Sequence, residues 1–293
     1  MEAILTRMRL DSNISGSGID AAFDDLRRDL SKVCDISSGL AEVLAEWTLS
    51  VSHTDSLAPE TFVLEITPQK RVEIQAPDEL GAIYAVYEFT HRYLGIDPYW
   101  FWKEVEPLPM DGFSPAPERI ESGVPTFRYR GLFINDEDLL GRWKTPCGER
   151  FLDWPKREET LKTPSRIEQY FYENDLLLFY TPVVAEDTME MVYEVLLRMR
   201  ANLVIPASFT DIFNKPEADM IRAAVRRGLY VSQHHVEPLG VSHFAYESWW
   251  GRQGKAPAFS YMTDADSMRA CWQAYAEEWY RVAGDRIIWQ VGL

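Results

Sequence analysis

Cysteine is scarce in this sequence. Cys34, Cys147 and Cys271 lie far apart, and no pair of them has the CxxC spacing of a zinc knuckle. An odd number of distant cysteines also provides no disulfide framework. We therefore predict reduced, buried thiols and no metal site built on cysteine.

Positive charge is in short supply as well. The 30 Lys and Arg residues face 46 Asp and Glu residues, and the formal net charge is −16. Because such a surface repels phosphate backbones and anionic lipid, we predict that neither nucleic acid nor a membrane surface is a partner.

Long apolar runs are absent too. No run approaches the roughly 20 residues that a membrane helix needs. The amino terminus has no basic start followed by an apolar core and a small-residue cleavage site. These absences predict a cytoplasmic protein, or a secreted one if the true amino terminus is missing.

What the sequence does contain suits a large core. At 293 residues, 46% of them hydrophobic and 26% charged, the chain is long enough for two domains. We predict an α/β domain with an interdomain linker over residues 1–120 and a barrel domain over 121–293. Residues 1–18 are expected to be poorly structured.

The first domain shows clear local patterns. The β-prone runs Phe62–Ile66 and Arg71–Gln75 predict a hairpin. Apolar residues at helical spacing predict a helix over Ala82–Leu94, which Gly95 ends as a C-cap. The aromatic run Pro98–Trp102 has two interpretations: a plug that packs the first domain onto the second, or a platform for a sugar ring.

In the second domain, short apolar runs alternate with helical segments at the spacing of parallel βαβ units. The predicted strands are Tyr129–Ile134, Ala201–Pro206, Leu229–His235 and Arg286–Val291. Closure of a barrel from such units requires about eight strands. We therefore expect the first half of a barrel, with an open edge through which the chain associates, for instance as a homodimer, and little activity in this chain alone.

Polar residues follow the predicted strands. They are Asn135, Asp136, Glu137 and Asp138 after the first strand, Ser208–Asp211 after the second, and His234–Glu237 after the third. In a parallel barrel all of them lie on the face that carries chemistry. For the acids after the first strand, the alternative is a solvated loop that caps the next helix.

The cluster His234, His235, Val236, Glu237 allows three interpretations. A His and a Glu at a strand end can act as acid or base and can bind hydroxyl groups. His, His and Glu also form a common zinc triad, although this spacing is not the helical HExxH. A purely structural role is the third interpretation.

The runs RGLFINDEDLL, DPYWFW, LLRMRANLVIPA and SQHHVEP together resemble glycoside hydrolase family 115, the xylan α-1,2-glucuronidases. The resemblance covers about residues 60–293. It implies an α/β amino-terminal domain followed by a (β/α)8 barrel. It also implies removal of glucuronic acid, or its 4-O-methyl ether, from xylan side chains with inversion at the anomeric carbon. The implied partner is a xylan-derived oligosaccharide, and no metal or organic cofactor is implied.

The matching motifs also indicate which residues of this sequence correspond to functional positions of the family. The resemblance places Asn135, Asp136 and Glu137 on the family's acidic strand end, and His234, His235 and Glu237 on its His-His-Glu-Pro segment. This sequence departs from the family where Val236 separates the second His from the Glu, and where Leu203–Pro206 lacks the aromatic residue usual before the proline. An extra residue at a strand end redirects the side chain that follows it.

An inverting glycosidase needs two carboxyl groups about 6.5 to 9.5 Å apart. Asp136 and Glu237 are the pair that we predict for catalysis. The residues predicted to bind substrate are Asn135, Glu137, Asp138, Asp211, His234 and His235. Two alternatives stay open: a metal-dependent hydrolase that uses the His-His-x-Glu cluster, and a carbohydrate-binding fragment without turnover.

Overall fold

The computed structural model describes residues 8–34, 40–103, 105–135, 144–145, 148–149 and 186–292. The chain divides into two compact units. The first comprises Met1–Arg130 with Glu194–Asn202, and the second Gly131–Tyr193 with Leu203–Leu293. The division after residue 120 stays a prediction; the compact units divide at Arg130.

A mixed sheet forms the centre of the first unit. Its strands are β1 (Arg9–Ser12), β2 (Thr48–His53), β3 (Val63–Thr67), β4 (Arg71–Ala76) and β5 (Glu118–Glu121). They lie in the order β1-β2-β4-β3-β5. β3 and β4 pair antiparallel, which confirms the predicted hairpin. The prediction that residues 1–18 are poorly structured is wrong for β1, because this polar segment pairs in parallel with β2.

The helices of the first unit are α1 (Ser17–Val33), α2 (Leu40–Ala45), α3 (Glu79–Leu94) and α4 (Trp100–Lys103). α3 confirms the predicted helix. The Asp78 side chain accepts a hydrogen bond from the Gly81 amide at its start, and Gly95 ends it with a left-handed φ of 70°. Glycine adopts this conformation at little cost, which is why it commonly follows a helix.

The aromatic run lies in α4 and the residues before it. Trp100 and Phe101 are buried in the first unit. The Trp100 indole donates to Glu194 Oε1 at 2.9 Å. Burial of both side chains does not fit a sugar platform at these two residues, since a platform needs an exposed ring face.

The first unit also contains a buried ionic cluster. The Arg198 guanidinium is almost fully buried, and it pairs with Asp29 and with Glu194. It also donates to Thr90 Oγ1 at 2.7 Å. Arg28 makes a second ion pair to Glu194 at 2.7 Å. Charges buried in this way are tolerated because each has an opposite partner and hydrogen bonds.

The sheet of the second unit is parallel. Its strands are β6 (Gly131–Phe133), β9 (Leu203–Ile205), β10 (Tyr230–Ser232) and β11 (Ile287–Ile288). Their order is β11-β10-β9-β6, and each neighbouring pair is parallel. This confirms the predicted α/β class with parallel βαβ units. The two short strands β7 (Lys144–Thr145) and β8 (Gly148–Glu149) pair antiparallel apart from this sheet.

The helices described between these strands are α5 (Glu186–Arg198), α6 (Lys215–Arg226), α7 (His243–Gly251) and α8 (Ala265–Ala283). The sequence pattern around Trp249 and Trp250 predicts a loop, but both residues lie in α7, whose first turn is capped by the Ser242 side chain accepting from the Ala245 amide. Among the described residues, no helix combines the length and the apolar character that crossing a bilayer requires.

Candidate active site

The carboxyl ends of the parallel strands bring polar residues to one edge of the second unit's sheet. Asn135 follows β6, Ser208 follows β9, His234 and His235 follow β10, and Gln290 follows β11. In barrels of this kind, chemistry takes place at this edge. Asp136, Glu137 and Asp138 lie outside the described residues.

Hydrogen bonds join the first three strand ends to one another. The Ser208 hydroxyl after β9 donates to Asn135 Oδ1 after β6, at 2.8 Å. The Phe209 amide donates to Glu237 Oε1, which belongs to the segment after β10, at 2.5 Å. The strand ends predicted to share a site are therefore in direct contact.

The end of β11 is tied to the same segment. The Gln290 amide donates to Gln233 Oε1 and the Gln290 side chain donates to the His235 carbonyl, both at 2.9 Å. The Leu239 amide in turn donates to the Gln290 carbonyl at 2.7 Å. These bonds fix the backbone around His235 from both sides.

Two loop residues at this edge have unusual backbone angles. Phe209 has a φ of 57° and Leu239 a φ of 56°. Residues other than glycine rarely adopt this left-handed conformation, and it persists where surrounding contacts enforce it. At Phe209 these contacts include the hydrogen bond that its backbone amide donates to Glu237 Oε1.

His234 is enclosed by aromatic rings. Its ring centroid lies 5.0 Å from that of Phe133 and 5.6 Å from that of Phe209. His234 Nδ1 lies 3.5 Å from Glu237 Oε1. Only 8% of His234 is exposed, so it reaches the surface over a narrow area. His235, whose ring packs edge-on against His234 at 4.3 Å, is exposed.

Asp211 is completely buried. It has no exposed surface, and its two oxygens accept hydrogen bonds from Arg252 at 2.6 Å and from the Tyr275 hydroxyl at 2.8 Å. Its Oδ1 also accepts from the Phe213 amide at 3.1 Å. Burial, together with the charge of Asp211, holds the pKa of Tyr275 well above its usual range. This geometry gives Asp211 protein partners; its predicted contact with substrate stays a prediction.

Exposure separates the predicted residues into two groups. Asn135 and His235 are exposed at the sheet edge. Glu237 and Asp211 have 0% exposure. Glu237 was predicted as a catalytic carboxylate, and its burial requires an explanation of what the carboxylate does.

Several residues of this site were missed by sequence analysis. Phe209, Arg252 and Gln290 reach their partners across 28, 41 and 57 positions of the chain. No local pattern signals contacts of that range. The acidic and histidine-rich strand ends were visible only because clustered polar residues interrupt an apolar pattern.

The described residues contain no group of three or more His, Cys, Asp or Glu side chains placed to hold a metal ion. His234, His235 and Glu237 thus do not form a ligand set in this structure. The metal-dependent alternative has no geometric support within the described part of the chain.

A parallel β/α sheet with polar residues at its carboxyl edge is the arrangement of enzymes with a TIM-barrel type of fold. The family model for glycosyl hydrolase family 115 matches residues 122–293, which is more than half of the chain and contains every strand end described above. The chain belongs to glycoside hydrolase family 115.

A solved structure of the same family has the same fold. A family 115 4-O-methyl-α-glucuronidase with specificity for decorated arabinogalactans is 21% identical, with a TM-score of 0.64 over 97% of this chain. The match covers 35% of that protein, so this chain spans about a third of its length. A comparison with curated proteins found no match.

Other solved structures are less similar. A chitobiase of Flavobacterium johnsoniae is 13% identical, with a TM-score of 0.43 over 80% of this chain and 32% of its own. A family 138 enzyme targeting pectin rhamnogalacturonan II is 10% identical, with a TM-score of 0.43 over 94% of this chain and 43% of its own. Likenesses of this size do not establish a shared fold.

Proposed function

We propose that this protein is a glycosidase that releases glucuronic acid, or its 4-O-methyl ether, from the side chains of a polysaccharide. The observation that carries the proposal is the family match over residues 122–293, which includes all the polar strand ends of the second unit. Xylan is the expected backbone. The specificity of the solved relative for decorated arabinogalactans makes that polymer the other backbone to test.

The mechanism we propose is single displacement with inversion. One carboxyl group protonates the leaving oxygen and the other activates water, at a separation of about 6.5 to 9.5 Å. We assign one of these tasks to Asp136, which directly follows Asn135 at the end of β6. Asp136 and Glu237 as a catalytic pair stay a prediction from the sequence, and the full burial of Glu237 leads to the different role inferred below. The chemistry needs no metal or organic cofactor.

Substrate contacts are proposed for the exposed polar groups at the same edge. Asn135 and His235 offer an amide and an imidazole to sugar hydroxyls, and the Ser208 hydroxyl keeps the Asn135 amide oriented. Glu137 and Asp138 are included from the sequence alone. An imidazole is also a suitable partner for the carboxylate of a glucuronate.

The test is Asp136→Ala in the full natural polypeptide. Loss of a general acid or base lowers turnover by at least about a hundredfold, so release of glucuronic acid from glucuronoxylan fragments is expected to fall by that factor or more. Asp266→Ala is the matched control, because the Asp266 carboxylate is fully solvent-exposed on α8. Parallel assays on glucuronate-decorated arabinogalactan identify the backbone.

Two results would count against the proposal. Wild-type activity in Asp136→Ala would remove Asp136 from the mechanism. Absence of glucuronic acid release by the wild-type polypeptide from both polysaccharides would remove the proposed activity itself. Thermal unfolding of both variants shows whether a loss of activity comes with a loss of structure.

A further inference from the structure

We propose that Glu237 is a positioning residue, which holds the loop after β9 and the ring of His234 in place and exchanges no proton with the substrate. The inference rests on the proposed function for the reaction that it serves. It assigns Glu237 a task different from the acid or base role that the sequence predicts for it.

Burial is the first argument. Glu237 has no exposed surface. A general acid or base must come within about 2.6 to 3.2 Å of the proton that it transfers, or reach it through one water. Oε1 of the buried Glu237 carboxylate instead contacts two protein groups, the Phe209 amide and the His234 ring.

The contact with Phe209 is the second argument. Glu237 Oε1 accepts the Phe209 amide proton at 2.5 Å. A bond from a backbone amide to a carboxylate is about twice as strong as one between neutral groups. It holds Phe209 at a φ of 57°, which a phenylalanine would not adopt by preference. Glu237 therefore determines the path of the loop after β9.

The loop after β9 also contacts the residue that follows β6. Ser208 precedes Phe209, and its hydroxyl donates to Asn135 Oδ1 at 2.8 Å. Asn135 is adjacent in sequence to Asp136. A continuous series of contacts thus runs from Glu237 through the loop after β9 to the residue next to the proposed catalytic carboxyl.

The same carboxylate faces His234. Its Oε1 lies 3.5 Å from His234 Nδ1, and the Glu237 amide donates to the His234 carbonyl at 2.9 Å. Nδ1 has no hydrogen-bond partner in the described structure, so the contact with the carboxylate is electrostatic. Phe133 and Phe209 restrict the ring from either side.

The experiment compares Glu237→Gln with Glu237→Ala in the full natural polypeptide. Glutamine has the same shape and keeps an oxygen that can accept the Phe209 amide, but it cannot act as acid or base. We expect kcat of Glu237→Gln to stay within about tenfold of wild type and kcat of Glu237→Ala to fall by about a hundredfold, the cost of misplacing reacting groups. Both limbs of the pH profile of kcat/KM are expected to survive in Glu237→Gln.

Amide hydrogen exchange of residues 207–211 supplies a readout that does not need activity. Exchange is expected to accelerate in Glu237→Ala and to stay near wild type in Glu237→Gln. Glu217→Gln is the control, because the Glu217 carboxylate also accepts a backbone amide of this loop, that of Asp211. It is expected to leave the pH profile unchanged.

Different results would contradict the role of Glu237 and the proposed activity of the protein. If Glu237→Gln loses as much activity as Glu237→Ala, or loses one limb of the pH profile, Glu237 is the acid or base and the inference is overturned. Unchanged exchange at residues 207–211 in Glu237→Ala also overturns it. A wild-type polypeptide that releases no glucuronic acid removes the proposed function, while the exchange data still decide whether Glu237 holds the loop.

Discussion

At the scale of single residues, many of the acidic side chains are held by backbone amides. Glu79 Oε1 accepts the amides of Gly18 and Ile19, at 2.8 and 3.2 Å. Asp78 accepts the amides of Glu60 and Gly81, both at 2.8 Å. A protein with more carboxylates than basic side chains can satisfy part of the excess in this way, because a backbone amide donates a strong hydrogen bond to a carboxylate without a basic side chain. The hydrogen bond from the Phe209 amide to Glu237 is a buried example of the same interaction.

Cys271 provides a prediction at this scale. Burial, and then the charge of Asp211, raise the pKa of the Cys271 thiol to about 12. Because only the thiolate is nucleophilic, Cys271 is expected to resist alkylation in the native protein near pH 8. Peptide mapping by mass spectrometry after timed alkylation measures this.

The denatured chain is the control for that experiment, because the same thiol regains its ordinary pKa there and reacts. Rapid labelling of the Cys271 peptide under native conditions would show that the thiol is neither buried nor suppressed as described.

At the scale of elements, the pairing of β6 with β9 depends on a glycine. Gly131 lies opposite Leu203 in the register of the two strands. A Cβ added to Gly131 would lie 2.1 Å from the Leu203 carbonyl oxygen and 2.8 Å from its Cβ. Backbone cannot move aside as a flexible side chain can, so the strands would have to separate.

Gly131→Ala is therefore expected to lower the free energy of unfolding by about 1 to 3 kcal/mol, the usual cost of overpacking. Urea unfolding measures the change. Gly251→Ala is the matched control in the same unit, since a Cβ there would meet nothing within 4 Å, and we expect it to be neutral or slightly stabilising. Equal stability of Gly131→Ala and wild type would contradict the close approach.

The elements that sequence analysis found are those with a local cause. The hairpin of β3 and β4 and the helix α3 follow from alternation, helical spacing and a capping glycine. β1 was missed because Arg9–Ser12 is short and polar, and becomes a strand only by pairing with β2. α7 was missed because its adjacent tryptophans show no stripe of helical spacing.

The candidate site likewise has features that the sequence predicts and features that it does not. Parallel strands with polar ends predicted which residues would meet at one edge, and the contact of Ser208 with Asn135 agrees with it. The depth of Glu237 could not be predicted, because its carboxylate contacts the Phe209 amide, which lies 28 positions away in another loop. The strand pattern predicts which edge a side chain reaches, but not which contacts across the chain bury it.

At the scale of the whole molecule, charge is the property that governs partners. The chain has a formal net charge of −16. Many of its basic side chains are also paired: Arg28 and Arg198 with Glu194, Arg252 with Asp211. Paired cations offer little attraction to a phosphate, since the neighbouring carboxylate cancels most of their field. The negative net charge and the pairing of basic side chains both disfavour binding to a polyanion.

Duplex DNA and anionic lipid vesicles are therefore not expected to bind this chain at physiological salt. Non-specific binding to DNA arises from the release of counterions when Lys and Arg neutralise phosphates, so it strengthens steeply as salt is lowered. Fluorescence anisotropy of labelled DNA and vesicle flotation measure binding. Each is carried out at about 50 mM salt, which favours non-specific binding to phosphates, and at about 200 mM salt, which is close to physiological. No binding is expected at either concentration, because lowering the salt also strengthens the repulsion between like charges. Binding that appears at low salt and weakens as salt rises would reveal a basic face in a chain of negative net charge, and would contradict the argument from charge.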